Sequence, residues 1–334
     1  MGSLSGVDDV EGFEGAEKAL ELEFEVAEDD ALGLRRWSRS VWDHLLSLAR
    51  CAILDVTSNE AMDAYILSES SLFVYRHQLI VKTCGRTTLL EMLPDVLDTA
   101  KKDGLSAIFI LYRRKNLLWP EQQICPHGDP HKEEEFINQF FDNGEGFIIG
   151  PPKGDHWYLY IADNSQPPYT EAEQTLEIMM HECDSDALRP FFNQTGDKDA
   201  RHVTETTGIA GLLPGSLLHE YLFSPCGYSM NGMLGKSYWT IHVTPESHCS
   251  YASFETNVPL RDYTDLIRSV LHIFRPNQAI VALTADFASP LDHSSPFLPT
   301  ALCGYKLRNK FTSTFEGDYH CLTCRYRKEA LTGG

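Results

Sequence analysis

The chain has 334 residues, 43% of them hydrophobic, enough to bury one large core or two smaller ones and unlike a disordered segment. Its 48 acidic against 28 basic residues give a formal net charge of -20, which disfavours a nucleic-acid phosphate backbone and favours a compact cation as partner. No apolar run approaches the ~20 residues of a membrane span, the first thirty residues are acidic rather than a basic-then-apolar leader, and nine scattered cysteines point to thiols in a reducing cytosol.

In chain order, the first element falls within residues 10–26, where alternation of Leu20, Leu22, Phe24 and Val26 predicts a strand. A polar helix is expected next, with apolar positions at Trp42, Leu45, Leu46 and Leu48, and then a strand over residues 51–56. Two β-rich runs follow at 64–67 and 72–83, with the polar Ser68-Glu69-Ser70-Ser71 expected between strands. A helix is predicted over 87–102 in spite of Pro94, with strands at 107–112, 146–149 and 157–161. Residues 238–244 and 250–256 alternate like paired antiparallel strands, and 263–274 form an amphipathic helix before two final strands. Residues 196–202 and 289–295 read as polar loops, and no linker or repeat divides the chain. The pattern is α+β with antiparallel sheets in a single domain.

Common signatures are absent. Cys321 and Cys324 have redox or half-zinc spacing without a second pair, and His127 and His131 fit a solvated loop better than a metal site. Neither a phosphate-cradling glycine loop nor a nucleophile elbow occurs. Three stretches look over-specified for structure alone, although each by itself reads as a turn, a strand end or a tight corner. They are Leu67-Ser68-Glu69-Ser70-Ser71, Lys82-Thr83-Cys84-Gly85, and the segment 223–232 around Pro225-Cys226-Gly227-Tyr228-Ser229.

Taken together with Thr240-Ile241-His242, Tyr251-Ala252-Ser253-Phe254-Glu255 and Gly12-Phe13-Glu14-Gly15, these stretches resemble the eukaryotic S-adenosylmethionine decarboxylases, in order and from about residue 12 to 319. The resemblance implies a four-layer α/β/β/α sandwich of two mainly antiparallel sheets with helices on the outer faces. It also implies a proenzyme. Ser70 would attack the carbonyl of Glu69, and the ester would be cleaved by β-elimination to leave residues 1–69 as one chain and 70–334, blocked by a pyruvoyl group made from Ser70, as the other. The pyruvoyl ketone would form a Schiff base with the substrate amine and act as the electron sink for loss of CO2, with neither pyridoxal phosphate nor metal.

By the same resemblance His242 is the base of the elimination, Ser229 stabilises the tetrahedral intermediate, and Cys84 returns a proton to the substrate. Phe13 and Phe223 match rings that sandwich adenine and face the sulfonium; Glu246 matches the ribose-binding carboxylate, Leu67 and Glu69 meet the adenine edge, and Glu14 and Glu17 are further active-site acids. An internal cluster, Glu21, Glu173, Thr175, Glu177, Glu255 and Tyr319, linked to the site by Lys82 and Arg114, matches the putrescine site of animal members. Leu111 and Thr284 depart from that pattern where animal members have rings, Glu173 replaces an aspartate, and Ala19 stands where plant members have an arginine. Animal members are dimers of αβ units and plant members are not, and the sequence leaves both assemblies open. Two other readings compete: an inactive paralogue that activates a partner subunit, and a thiol hydrolase using Cys84 with His242.

Overall fold

The computed structural model describes residue 15 and residues 17–164, 173–286, 288–291, 298, 301–302, 304–315 and 319–329. Its first sheet comprises β1 (Lys18–Glu25), β2 (Ile53–Ser58), β3 (Met62–Leu67), β4 (Ser70–Tyr75), β5 (Gln78–Thr83), β6 (Ser106–Lys115), β7 (Glu145–Ile149) and β8 (Trp157–Asp163), ordered β2-β3-β4-β5-β1-β6-β8-β7. The second comprises β9 (Gln174–His181), β10 (Leu217–Leu222), β11 (Tyr228–Leu234), β12 (Ser237–Thr244), β13 (Tyr251–Thr256), β14 (Gln278–Asp286), β15 (Ala301–Leu302), β16 (Tyr305–Thr314) and β17 (Tyr319–Lys328). Their order is β10-β11-β12-β13-β9-β14-β17-β16-β15, and the pairings in both sheets are antiparallel.

Helices cover the two outer faces. Leu45 and Leu46 of α1 (Arg39–Leu48), Val96 of α2 (Leu93–Lys102) and Ile137 of α3 (Pro130–Ile137) pack with Leu20, Leu22 and Tyr112 of the first sheet. On the second sheet, Leu188 of α4 (Ser185–Leu188), Val203 of α5 (Ala200–Thr206) and Ile267 and Val270 of α6 (Thr264–Phe274) join Ile178, Phe254 and Val281. Each such fully buried aliphatic side chain contributes roughly 1.5–3 kcal/mol of transfer free energy. The expected sandwich is therefore the one that forms.

The layer between the sheets differs from both outer layers. It is apolar at two ends, around Phe109, Trp157, Met179 and Ile280 at one and Phe73, Ile80 and Tyr238 at the other. Between them lie buried Glu21, Lys82, Arg113, Glu177 and Glu255. Strand periodicity explains how charge enters a core: Leu20, Leu22 and Phe24 of β1 face the helices, so alternate residues, Glu21 and Glu23, point the other way. On β6, Ile110 and Tyr112 face the helices, and Leu111 and Arg113 face the second sheet.

Several expectations need correction. The run 72–83 is a hairpin, β4 and β5, in which Val74 pairs with Leu79. Ser70 and Ser71 open β4 instead of lying between strands, with Leu67 opposite Ser70 and only Ser68 and Glu69 in the turn. The predicted helix at 87–102 splits into a 3-10 turn, Leu89–Met92, and α2, whose first turn holds Pro94, where a missing N–H costs nothing. Residues 196–202 are not all loop, because Asp199 caps α5 by accepting the Arg201 N–H. In the loop around His127, Cys125 and His131 are exposed as expected but the His127 ring is not: it is buried, accepts the Leu90 N–H at 3.2 Å and lies beside Tyr112 and Glu133. Cys321 and Cys324 point to opposite faces of β17 and both are free, so their spacing makes no redox pair. Part of the 289–295 segment lies outside the described residues.

Candidate active site

Ser70 is buried at the head of β4 with φ of 146°, a conformation rarely adopted by a residue with a side chain and one that costs of order 1–3 kcal/mol. The strain falls on the residue whose peptide bond to Glu69 is the expected scissile bond. The Glu69 carbonyl accepts the Cys84 N–H at 3.0 Å, so β5 runs on to hold the atom that would become an oxyanion. The Ser70 hydroxyl donates to Glu17 Oε1 at 3.0 Å and stands 3.1 Å from His242 Nε2.

His242 reaches this point from the second sheet. Its Nδ1 lies 2.5 Å from Glu17 Oε1, its Nε2 lies 2.9 Å from Ser71 Oγ, and Ser229 is its register partner on β11. Burial opposes ionisation of Glu17, but Lys82, with Nζ at 3.5 Å, and His242 outweigh it and hold the carboxyl well below its usual range. Glu17 is thus a fixed anion between a hydroxyl, an imidazole and an ammonium. A cavity of about 210 Å³ lined by Glu17, Lys82, Glu177 and Ser253 adjoins it.

Lys82 also pairs with Glu255, which connects this constellation to the acidic cluster. The residue missing from the sequence reading is Arg113. Its fully buried guanidinium lies 3.2 Å from Glu21, 3.1 Å from Glu177 and 3.3 Å from Glu255, and the Tyr238 hydroxyl donates to Glu255 at 2.5 Å. Period 2 carried the signal, since Arg113 shares a face with Leu111, already assigned to the cluster. Arg114 is the corresponding correction: it points to the helical side and binds Glu133 of α3 through 2.9, 3.0 and 2.7 Å contacts, so it is not a link to the cluster.

In the outer half of the cluster, no cation among the described residues pairs with Glu23 or Glu173. Tyr319 donates to Glu173, Gln78 donates to Glu21 at 2.6 Å and to Glu23 at 3.0 Å, and Thr175 sits beside Glu173 on β9 opposite Thr284. Burial, then the neighbouring Glu173 and Glu21, raise Glu23 to about 9. Burial and Glu21 raise Glu173 to about 7, and burial, against the pull of Arg113, leaves Glu177 at about 8.

Toward the surface, Glu246 keeps a buried Oε2 with no hydrogen-bond partner among the described residues, and Phe223 is half-buried with its ring 4.8 Å from that of Tyr221. Cys84 is half-buried, and burial together with the Glu69 and Glu17 carboxylates pushes its thiol well above the usual range. Leu67 is fully buried, and burial raises the Glu69 carboxyl. Phe13 and Glu14 lie outside the described residues. Lys18 was also missed: its Nζ donates to the Gly85 carbonyl at 2.9 Å and to Gln123 at 3.0 Å, steadying the turn after Cys84.

A sequence profile for adenosylmethionine decarboxylase matches residues 10–327. Proteins named S-adenosylmethionine decarboxylase proenzyme are similar over most of this chain. The one from Dictyostelium discoideum is 41% identical over 329 residues, covering 95% of this chain and 86% of its own length. The one from Xenopus laevis is 43% identical over 286 residues, covering 83% and 84%. Among solved structures, a Trypanosoma brucei AdoMetDC monomer superposes with a TM-score of 0.61 at 26% identity, over 78% of this chain and 99% of that one. With a matched profile spanning nearly the whole sequence and relatives at this level of identity, the chain belongs to the adenosylmethionine decarboxylase family.

Proposed function

We propose that this protein is a self-processing adenosylmethionine decarboxylase, which removes CO2 from S-adenosyl-L-methionine and so provides the decarboxylated aminopropyl donor of spermidine and spermine synthesis. The observation that carries the reading is the meeting of Ser70, Glu17 and His242 at hydrogen-bond distance, from three separate parts of the chain, on a residue with strained backbone.

In processing, Ser70 Oγ attacks the Glu69 carbonyl carbon. Its proton passes through the Glu17–His242 pair to the nitrogen of residue 70, the Cys84 N–H stabilises the oxyanion, and the C–N bond breaks to free that amine as the ester forms. Ser229, beside His242, is the second candidate donor to that oxygen. His242 then removes the Cα proton of residue 70, the Cβ–O bond breaks with the Glu69 carboxylate as leaving group, and water converts the resulting dehydroalanine to a pyruvoyl group with loss of ammonia. A hydroxyl on Cβ is required at both steps, so the residues present fit this group. The group supplies an electron sink for the departing carboxyl.

The chain's own residues supply the rest. Cys84, kept as a thiol by burial and adjacent carboxylates, suits a proton donor. The orphaned Glu246 Oε2 suits the ribose hydroxyls, and Phe223, with Phe13, the adenine and sulfonium. Glu14, Leu67 and Glu69 complete the reading of the substrate site. The cluster of Glu21, Glu173, Thr175, Glu177, Glu255 and Tyr319 is the place for putrescine, with Lys82 joining it to Glu17. Because Arg113 and Lys82 already pair with its inner acids, a diamine acts there mainly through Glu173 and Glu23. The reading further places the cleaved chains, 1–69 and 70–334, in the cytosol within one domain, with a single αβ unit and a dimer of two as the alternative assemblies. The inactive-partner and thiol-hydrolase readings gain no observation, since each leaves the Ser70 geometry without a use.

Intact mass spectrometry of freshly purified protein tests the proposal. The expected result is two chains split before residue 70, the larger lacking an amino terminus, with CO2 released from carboxyl-labelled S-adenosylmethionine; an uncut chain that releases none refutes it.

A further inference from the structure

We infer that Asn231 is a positioning residue that decides where the protons of the His242 ring lie, acting through Ser71; this rests on the reading of His242 as the processing base. Asn231 is fully buried on β11, and its side chain spans the two sheets. Its Nδ2 donates to the backbone carbonyl of Tyr65 on β3 at 2.9 Å. A carbonyl only accepts, so the amide nitrogen must face the first sheet and Oδ1 must face the hydroxyls of Ser71, at 2.7 Å, and Thr240, at 3.1 Å.

Ser71 has one hydroxyl proton, and an acceptor-only atom at 2.7 Å claims it. What Ser71 then offers Nε2 of His242, 2.9 Å away, is a lone pair, so Nε2 carries hydrogen. Ser70 does not change this, because its own proton goes to Glu17. Thr240, 3.3 Å from Nε2, donates to the Met230 carbonyl at 2.9 Å. On the other side of the ring, Nδ1 faces the Glu17 carboxylate. Both nitrogens therefore meet oxygen lone pairs and are placed to donate, which leaves no lone pair for taking up the Cα proton of residue 70. The base becomes available when the Ser71 hydroxyl turns from Asn231 toward Nε2. Asn231 thus controls when the ring can act without touching the reacting atoms.

The groups facing His242 from the packed elements are Glu17 from the segment before β1, Ser70 and Ser71 from β4, Ser229 and Asn231 from β11, Thr240 from its own strand, and Ser253 from β13 at 3.5 Å. Lys82 stands behind Glu17, with Glu255 and Glu177 beyond it, and Cys84 and Glu69 are the titratable groups beside the scissile bond. None of the charged groups in this set hydrogen-bonds Asn231, whose partners are Ser71, Thr240 and the Tyr65 carbonyl.

The test is the rate of self-cleavage of fresh proenzyme between pH 5 and 9, followed as loss of the uncut chain. Asn231→Leu frees the Ser71 proton for Nε2, and the acid limb of the profile is expected to move to lower pH by about one unit, the scale of one hydrogen bond. Ser71→Ala, a deletion of one atom that spares the fold should Asn231→Leu disturb it, moves the limb the same way, and Asn231→Leu adds no further shift in that background. A uniform loss of rate with an unmoved limb in both single variants, or a further shift from Asn231→Leu in the Ser71→Ala background, overturns the inference. His242→Ala processing at the unmodified rate would instead remove the base assignment itself, a result separable from either.

Discussion

Arg113→Met keeps most of the side-chain volume and removes the charge that three buried carboxylates share. The guanidinium is fully buried and its contacts to Glu21, Glu177 and Glu255 run from 3.1 to 3.3 Å, so no solvent stands ready to replace it. Removing one partner from such a buried network costs about 3–5 kcal/mol, because the remaining charges are left uncompensated. With an unfolding entropy of about 2.1 cal/mol/K per residue over 334 residues, 1 kcal/mol corresponds to about 1.4 °C, and the expected fall in melting temperature is about 4–7 °C near neutral pH. Lowering the pH lets the orphaned acids take protons, so the gap to the unmodified protein should narrow at pH 5. Millimolar putrescine should restore part of the loss, since an ammonium can then sit where the guanidinium was. Scanning calorimetry of the processed protein at pH 5 and pH 7.5, with and without diamine, measures all three effects. A change below about 1 °C at pH 7.5, or an equal loss at both pH values, would show that Arg113 does not hold the cluster together.

The cluster also sets a pH dependence on the unmodified protein. Glu173, Glu177 and Glu23 are raised in the folded state from 4.5 to about 7, 8 and 9, so between pH 4.5 and 9 the folded chain holds protons that the unfolded chain has released. Stability should therefore fall as pH rises through that window, and Glu173→Gln should flatten the slope in thermal melts; a stability that rises toward pH 9 contradicts this. Glu255, lowered to about 2 by Lys82 and Arg113 against its burial, acts oppositely and contributes stability that is lost as pH falls from 4.5 toward 2. At the surface end, Glu246→Gln should raise KM for S-adenosylmethionine about tenfold with kcat within a few-fold, as expected for loss of a charged hydrogen-bond acceptor. An unchanged KM removes Glu246 from the ribose contact.

Much of the fold was legible along the chain wherever one face of an element is apolar. The alternation at Leu20, Leu22 and Phe24 marked β1, and residues 263–274 became α6, because outer faces pack on helices and must be hydrophobic. Strands β9, β10 and β11 were missed. The inner residues of β9 include Glu177, and those of β11 include Ser229 and Asn231, so polarity that serves the site erased the pattern that identifies a strand. The loop expected around His127 formed, but the exposure expected of that ring failed for the opposite reason, since a polar ring can be buried when Leu90 N–H, Tyr112 and Glu133 satisfy it.

By itself the sequence determined the fold class and the family resemblance and singled out Ser70, His242 and Cys84 as candidates, because these rest on residue type and local order, which the covalent chain carries. Only the tertiary structure decided that Arg113 and not Arg114 meets the acids, that the Cys84 N–H and not only a side chain holds the Glu69 carbonyl, and that Asn231 stands behind Ser71. Those contacts join separate elements of the chain and, for Arg113 and Asn231, different sheets. Which side chains meet there depends on how two twisted sheets register against each other, a property of long-range packing that no local stretch of sequence encodes.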